Sequence, residues 1–361
     1  MADAAADNAV DAMMPAQAGR AAGCVAGFFD LCTQPSPTTD LVISDARTLN
    51  TDIDARCRTY AQAGGSAVCL IYVSAVTIAM TGSLTVTGSR PLAIASTSTL
   101  TIAGAIDVSR HVSQVGPAVD NAASAFAMVP EPDPGGGGGA AGATFTLLGG
   151  DGGVGDSDNS LGQDDTALPG THGPSTPITT VLRGGCRGQD GGAEEAGGGA
   201  GGTGGHSGGA LYLYAAQRLE IPGSVLATGA RGEGGESQAG GGGGGSGGLV
   251  VIESQLITIT GQLSANGGGG GQCGGRVGAN DVTGQPGSDG AFGLTPAPGG
   301  FGANSNNVRF SRGGAGGAGS TAAAAGTSSI VGGGGGGGAA GTVRLLGTTV
   351  TSDSTISPLP S

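Results

Sequence analysis

The sequence predicts an all-β fold: a parallel β-solenoid of the β-helix kind, with stacked strand repeats and Gly-rich loops along one edge. Three observations carry this. An apolar block recurs four times with a fixed distance of 12 residues from its first Leu to a Gly. Within each block the apolar residues alternate with a period of two. Between the blocks lie runs of Gly, which supplies 81 of the 361 residues.

The elements follow in chain order. Residues 1–23 are Ala- and Asp-rich, carry Asp3, Asp7 and Asp11, and have no apolar stretch that would make a signal peptide. They read as a disordered tether, and the expectation is that a secretion signal lies upstream of this chain. Ala22-Gly23-Cys24 is a faint lipobox. Residues 24–66 read as a Cys-bearing head. Residues 67–361 read as the Gly-rich solenoid, with irregular surface insertions at 112–142 and 149–185 rich in Pro, Gly, Ser and Asp.

The repeat copies run from Leu70 to Gly82, Leu92 to Gly104, Leu211 to Gly223 and Leu249 to Gly261, each followed by a further short apolar pair. A degraded fifth copy starts at Thr342. Val, Ile and Thr dominate, and Gly or Pro punctuates each block, which favours strand over helix. Aligned Leu and Gly place Thr77, Thr101, Glu220 and Thr258 at one outward position. A unit of roughly 20 residues cannot bury its apolar face alone, whereas stacked units can. The Gly runs recur at the same edge of the repeats. Two states are open to them: mobile loops, or bundled extended helices with three residues per turn, of the polyglycine II kind. No strict G-x-y period is visible, which excludes collagen.

Composition removes several functions. Every one of the 14 basic residues is Arg, so Lys Schiff-base and P-loop chemistry are absent. A net charge of −13 argues against nucleic acid and anionic membranes as partners. There is no Trp, and aromatic residues make up 3% of the chain, so stacking platforms are scarce. No run of 18 apolar residues occurs, so no transmembrane segment is expected.

The six cysteines, Cys24, Cys32, Cys57, Cys69, Cys186 and Cys273, make three disulfides the expectation. Cys24 with Cys32 and Cys57 with Cys69 are the favoured local pairs, and no C-x-x-C spacing points to zinc. Disulfides would place the protein outside the cytoplasm. A weak calcium candidate is the acidic loop holding Asp151, Asp156 and Asp158, where Ser157 stands in place of the Asp of a calcium nonapeptide. His111, His172 and His206 are scattered, and acidic residues at equivalent repeat positions do not stack, so neither catalytic nor cofactor-binding residues are assigned.

The Gly runs flanking strands, as in LVVIESQLITITGQLSANGGGGG, and the segment NTDIDARCRTY followed by VCLIYVSAVTIAMTGSLTV resemble a group of Gly-rich secreted or lipid-anchored proteins of myxobacteria and related bacteria. The resemblance spans most of residues 24–355. It implies an envelope or extracellular location and no particular activity. In composition alone the Gly tracts are also similar to those of Gly-rich phage-tip adhesins and of a springtail antifreeze protein. The functional expectation is a non-enzymatic structural or adhesive protein of a bacterial envelope or exterior, needing no cofactor, with surface glycans or envelope components as partners. The alternatives are a carbohydrate-active or carbohydrate-binding solenoid, and an ice- or ion-binding surface.

Overall fold

The structure, a computed structural model, describes residues 28–31, 34–110, 116–118, 120, 126–157, 166–177, 180–196, 198–277, 280–302, 310–352 and 355–361. The tether 1–23, Cys24, Cys32, His111 and Asp158 lie outside these residues. The chain divides into two compact units, 1–35 and 36–361. In the first, the rings of Phe28 and Phe29 meet edge to face at 5.1 Å.

The second unit holds the strands. β1 (Leu41–Ile43), β2 (Ala46–Asn50) and β3 (Arg58–Tyr60) come from the expected head. The first two repeat copies supply β4 (Val68–Val73), β5 (Val76–Ile78), β6 (Ser83–Thr87), β7 (Leu92–Ser96), β8 (Thr99–Ile102) and β9 (Ala105–Asp107). The third and fourth supply β10 (Ala210–Ile221), β11 (Ser224–Leu226), β12 (Leu249–Ile259) and β13 (Gln262–Ser264). β14 (Gly275–Val277) and β15 (Asn280–Val282) form a small hairpin, and β16 (Thr342–Ser352) and β17 (Thr355–Ser357) close the series.

These strands make a nine-stranded sheet, a six-stranded sheet and the two-stranded hairpin. The fold is all-β, as expected, but it is not a simple parallel β-solenoid. β3 pairs antiparallel with β4, and β14 with β15, so parallel and antiparallel strands are mixed. The chain also leaves the sheets between β9 and β10, between β11 and β12, and between β13 and β16, for long Gly-rich excursions. The physical reason is in the Gly segments. A strand pairs along one axis, in the plane of its sheet. These segments hydrogen-bond in several directions at once and cannot join a ladder.

Within the sheets the repeat copies do meet in parallel register. Gly82, Gly104, Gly223 and Gly261 stack so closely that a Cβ on each of the last three would strike the carbonyl of the Gly before it. Thr77 pairs with Thr101, Thr101 with Glu220, and Glu220 with Thr258. The Leu alignment slips. Cys69, not Leu70, pairs with Leu92, and Val250, not Leu249, pairs with Leu211. A shift of one residue exchanges the two faces of a strand. The slip against β12 is absorbed by a register shift in β10 between Ala215 and Arg218, and the slip between the first two copies by one extra residue between Ser96 and Leu100 opposite Val73 and Val76.

Alternation builds the core. Leu84, Val86, Leu100, Ile102, Ile106, Val225, Ile257, Ile259 and Leu263 point inward and are buried, while the residues between them are partly or fully exposed. β4 and β7 are buried on both faces and therefore show no polar alternation.

The Gly segments pack into an ordered bundle. Gly240–Gly248 shows the rule. The N–H groups of Gly240, Gly243 and Ser246 donate to the carbonyls of Gly192, Gln189 and Cys186. Those of Gly241, Gly244 and Gly247 donate to Gly333, Gly336 and Ala339. Those of Gly242, Gly245 and Gly248 donate to Glu233, Ala230 and Ala227. Every third residue faces the same neighbour, the signature of an extended helix with three residues per turn. The carbonyls accept in the same rhythm from Gly202, Gly205 and Gly208, from Ala140 and Ala143, and from Gly271 and Gly268. The tract thus donates to three neighbours and accepts from three others, with N···O distances of 2.7–3.1 Å. Gly332–Gly341 repeats the pattern against 137–143, 324–327 and 265–271.

Two expectations are corrected here. Residues 135–142 and 184–185, inside the stretches read from the sequence as surface insertions, are buried and belong to tracts of the bundle. A three-residue period also exists locally. Gly284, Gly287 and Gly290 are buried while Gln285 and Ser288 between them are exposed, and Gly199, Gly202, Gly205 and Gly208 are buried beside exposed Ala200 and Thr203. Enclosed tracts are mostly glycine, with Ser246, Ala339 and Ala340 as the buried exceptions in 240–248 and 332–341, and tracts at the edge admit a side chain at the outward position. What the enclosed tracts need is the absence of Cβ. A Cβ on Gly243 or Gly244 would lie inside 3.0 Å of the carbonyl of Ala141 or Gly268, and neither residue has a left-handed φ.

Candidate functional site

The edge tracts give the bundle its accessible chemistry. Along 199–208 the outward positions are Ala200, Thr203 and His206, spaced about 9 Å apart by the three-residue rise. His206 Nδ1 is hydrogen-bonded to the Asp120 carboxylate, and the Ser207 N–H donates to the same group at 3.2 Å. Beside them Arg231, Asp289 and Glu233 form a polar rim. The Arg231 N–H donates to Asp289 at 2.9 Å and its Nε to Glu233 at 3.1 Å.

The calcium candidates are not gathered. Asp151 accepts from the His172 N–H at 2.8 Å and lies 2.7 Å from its Nδ1. Asp156 is buried against Gly135. Among the described residues no three His, Cys, Asp or Glu side chains converge on a point that could hold a metal ion.

Of the cysteines, Cys57 and Cys69 form the expected disulfide, with Cα atoms 4.8 Å apart, tying the start of β3 to β4. Cys186 and Cys273 are both buried, and Cys273 is a thiol packed against Phe310 and Val331, which departs from the expectation of three disulfides. Burial pushes the Cys273 thiol above its usual pKa, against the hydrogen bonds offered by Ser311 and Ser329. It is poorly suited to nucleophilic use.

The row Thr77–Thr101–Glu220–Thr258 continues to Thr351. Glu220 interrupts its hydroxyls and pairs with Arg218, so the row is not the uniform Thr rank an ice-binding face would use. Glu194 and Glu253 are buried rather than displayed, and Glu253 accepts from the Tyr212 hydroxyl at 2.9 Å.

Two features escaped the sequence reading. Tyr72, Tyr212 and Tyr214 occupy the second face of β4 and β10, opposite the aliphatic core, and Tyr212 and Tyr214 stack at 6.4 Å. Burial, then the neighbouring Glu253, pushes the Tyr214 phenol far above its ordinary range. Their alternation with Leu211 and Leu213 was the available signal. The other is a cavity of about 390 Å³ between segment 146–177 and the chain's last residues. Its walls join apolar Leu147, Pro177, Pro358 and Leu359 to the hydroxyls of Ser175 and Thr176. No sequence signal marks it, because it forms between segments far apart in the chain.

No helix among the described residues is long and apolar enough to cross a membrane. In comparisons with family models, curated proteins and solved structures, the chain matches none.

Proposed function

We propose that the protein is a non-catalytic structural or adhesive component of a bacterial cell envelope or exterior, with surface glycans or other envelope material as its partners. The observation that carries this reading is the Gly bundle. It is a scaffold held by main-chain hydrogen bonds in several directions, and its edge tracts display small or polar side chains, such as Ala200, Thr203 and His206, at a fixed spacing of about 9 Å. Such a surface suits repeated weak contacts with a repeating partner, in which affinity comes from number rather than from one deep pocket. The Cys57–Cys69 disulfide supports an oxidising compartment.

The test has two parts. Surface labelling and fractionation of native cells should find the chain in the envelope or medium with Cys57–Cys69 oxidised. Protein-coated beads should then adhere to envelope glycans or cells, and Thr203→Glu with Ala200→Glu should reduce adhesion without lowering thermal stability. A cytoplasmic, reduced protein, or adhesion indifferent to the edge substitutions, would overturn the proposal.

A further inference from the structure

Behind the cavity wall sits a buried cation with an incomplete set of partners. Arg183 is 8% exposed. Its guanidinium lies over the Phe145 ring at 4.9 Å, and Nη2 donates to Thr176 Oγ1 at 2.8 Å. The Thr176 hydroxyl donates onward to the Phe145 carbonyl at 3.1 Å. Nη1 is buried with no hydrogen-bond partner, and no carboxylate pairs with Arg183 among the described residues. A desolvated guanidinium ordinarily acquires a counter-ion or a full set of acceptors. Thr176, which accepts from Arg183, also lines the cavity. Its volume of about 390 Å³ falls within the range of small-molecule sites.

We infer that this cavity binds a small amphipathic carboxylate. Its apolar body would lie against Leu147, Pro177, Pro358 and Leu359, and its carboxylate would lie at the Ser175 hydroxyl beside Thr176, drawing Arg183 toward it. The charge selects an anion. The apolar wall selects a hydrocarbon body over a bare inorganic anion. A medium-chain or single-ring acid matches the cavity volume of about 390 Å³. The site is distinct from the Gly edge tracts and stands independently of the adhesive reading.

Calorimetric titration of the full chain with octanoate, octanol, octylamine and acetate tests this. Octanoate should bind one to one, about tenfold or more tighter than octanol, with octylamine and acetate weaker still. Arg183→Met should bring octanoate down to the level of octanol, and Arg183→Lys should restore part of the difference. Leu359→Ser, at a residue 67% exposed and tolerant of change, should weaken octanoate and octanol alike by several-fold. If Arg183→Met does not fold, the wild-type comparison and Leu359→Ser decide the matter. Equal or undetectable binding of octanoate and octanol to the wild type, or octanoate binding unaffected by Leu359→Ser, would overturn the assignment.

Discussion

Adding a single methyl group at Gly242 probes the bundle most directly. The Gly242 N–H donates to Glu233 at 2.9 Å and its carbonyl accepts from Gly271 at 2.8 Å. The Cβ of Gly242→Ala would fall on the Thr203 carbonyl, 2.6 Å from its carbon and 2.7 Å from the Gly202 oxygen. All of these are backbone atoms, so no side chain can swing aside. The 199–208 tract must move off by roughly 1 Å to reach ordinary contact, stretching the bonds from Gly202 to Gly240 and from Gly205 to Gly243. Two such bonds at about 1 kcal/mol each give ~2 kcal/mol, and lost close contacts add ~1 kcal/mol. Against this, Ala narrows the unfolded ensemble and returns about 0.4–1 kcal/mol. The expected net loss is ~2–3 kcal/mol, read from denaturant midpoints, with faster amide exchange at Gly202 and Gly205. Gly198→Ala is the internal control. Its φ is +75° and nothing lies within 4 Å of the added Cβ, so it should cost ~1 kcal/mol through strain alone and leave exchange in the bundle unchanged. A neutral or stabilising Gly242→Ala, with Gly240–Gly248 amides exchanging at unprotected rates, would refute the packed bundle.

The other expectations concern the sheets and their ionisable groups. Ile259 is fully buried, so Ile259→Asp should lose ~3–5 kcal/mol, whereas Thr258→Asn, one residue away and half-exposed, should stay within ~0.5 kcal/mol; equal losses would mean the alternation is misread. Reducing Cys57–Cys69 should lower stability by about 3 kcal/mol in the loop-entropy account. Cys273 should resist alkylation in the native protein and react once denatured; rapid native labelling would contradict its burial. Tyr214 stays protonated in the fold beyond the pH at which an unfolded tyrosine ionises. Its stabilising contribution is therefore full below about pH 10 and is lost as pH rises above that value. Tyr214→Phe should shift alkaline unfolding to higher pH, and an unchanged transition would remove that linkage.

Much of the sheet architecture was legible because alternation and a repeated Gly are local signals. The outward column Thr77, Thr101, Glu220 and Thr258 was correct in every pairing. The Leu column slipped because the second copy takes an extra residue between Ser96 and Leu100 and β10 takes one between Ala215 and Arg218, and similar aliphatic residues mask such shifts. The simple solenoid failed because neither the antiparallel β3–β4 and β14–β15 pairs nor the departures into the bundle leave a repeat to read. The bundle's period was hidden for a different reason. In an enclosed tract such as Gly240–Gly245 every position is glycine, so the phase that would reveal three residues per turn is erased. It survives at the edge, at Gly284, Gly287 and Gly290. The cavity and Arg183 were illegible because they depend on Phe145, Thr176 and Leu359 meeting across long stretches of chain.

The bundle is also a core of an uncommon thermodynamic kind. Most protein interiors bury hydrocarbon, and exposing it on unfolding raises the heat capacity; exposing amide groups lowers it. Gly240–Gly248 and Gly332–Gly341 bury almost nothing but amides and α-carbons. Melting this part of the molecule therefore absorbs enthalpy with little accompanying rise in heat capacity. Its stability should fall along a nearly straight line with temperature rather than an arch. The bundle would then hold firm in the cold, where hydrocarbon cores weaken.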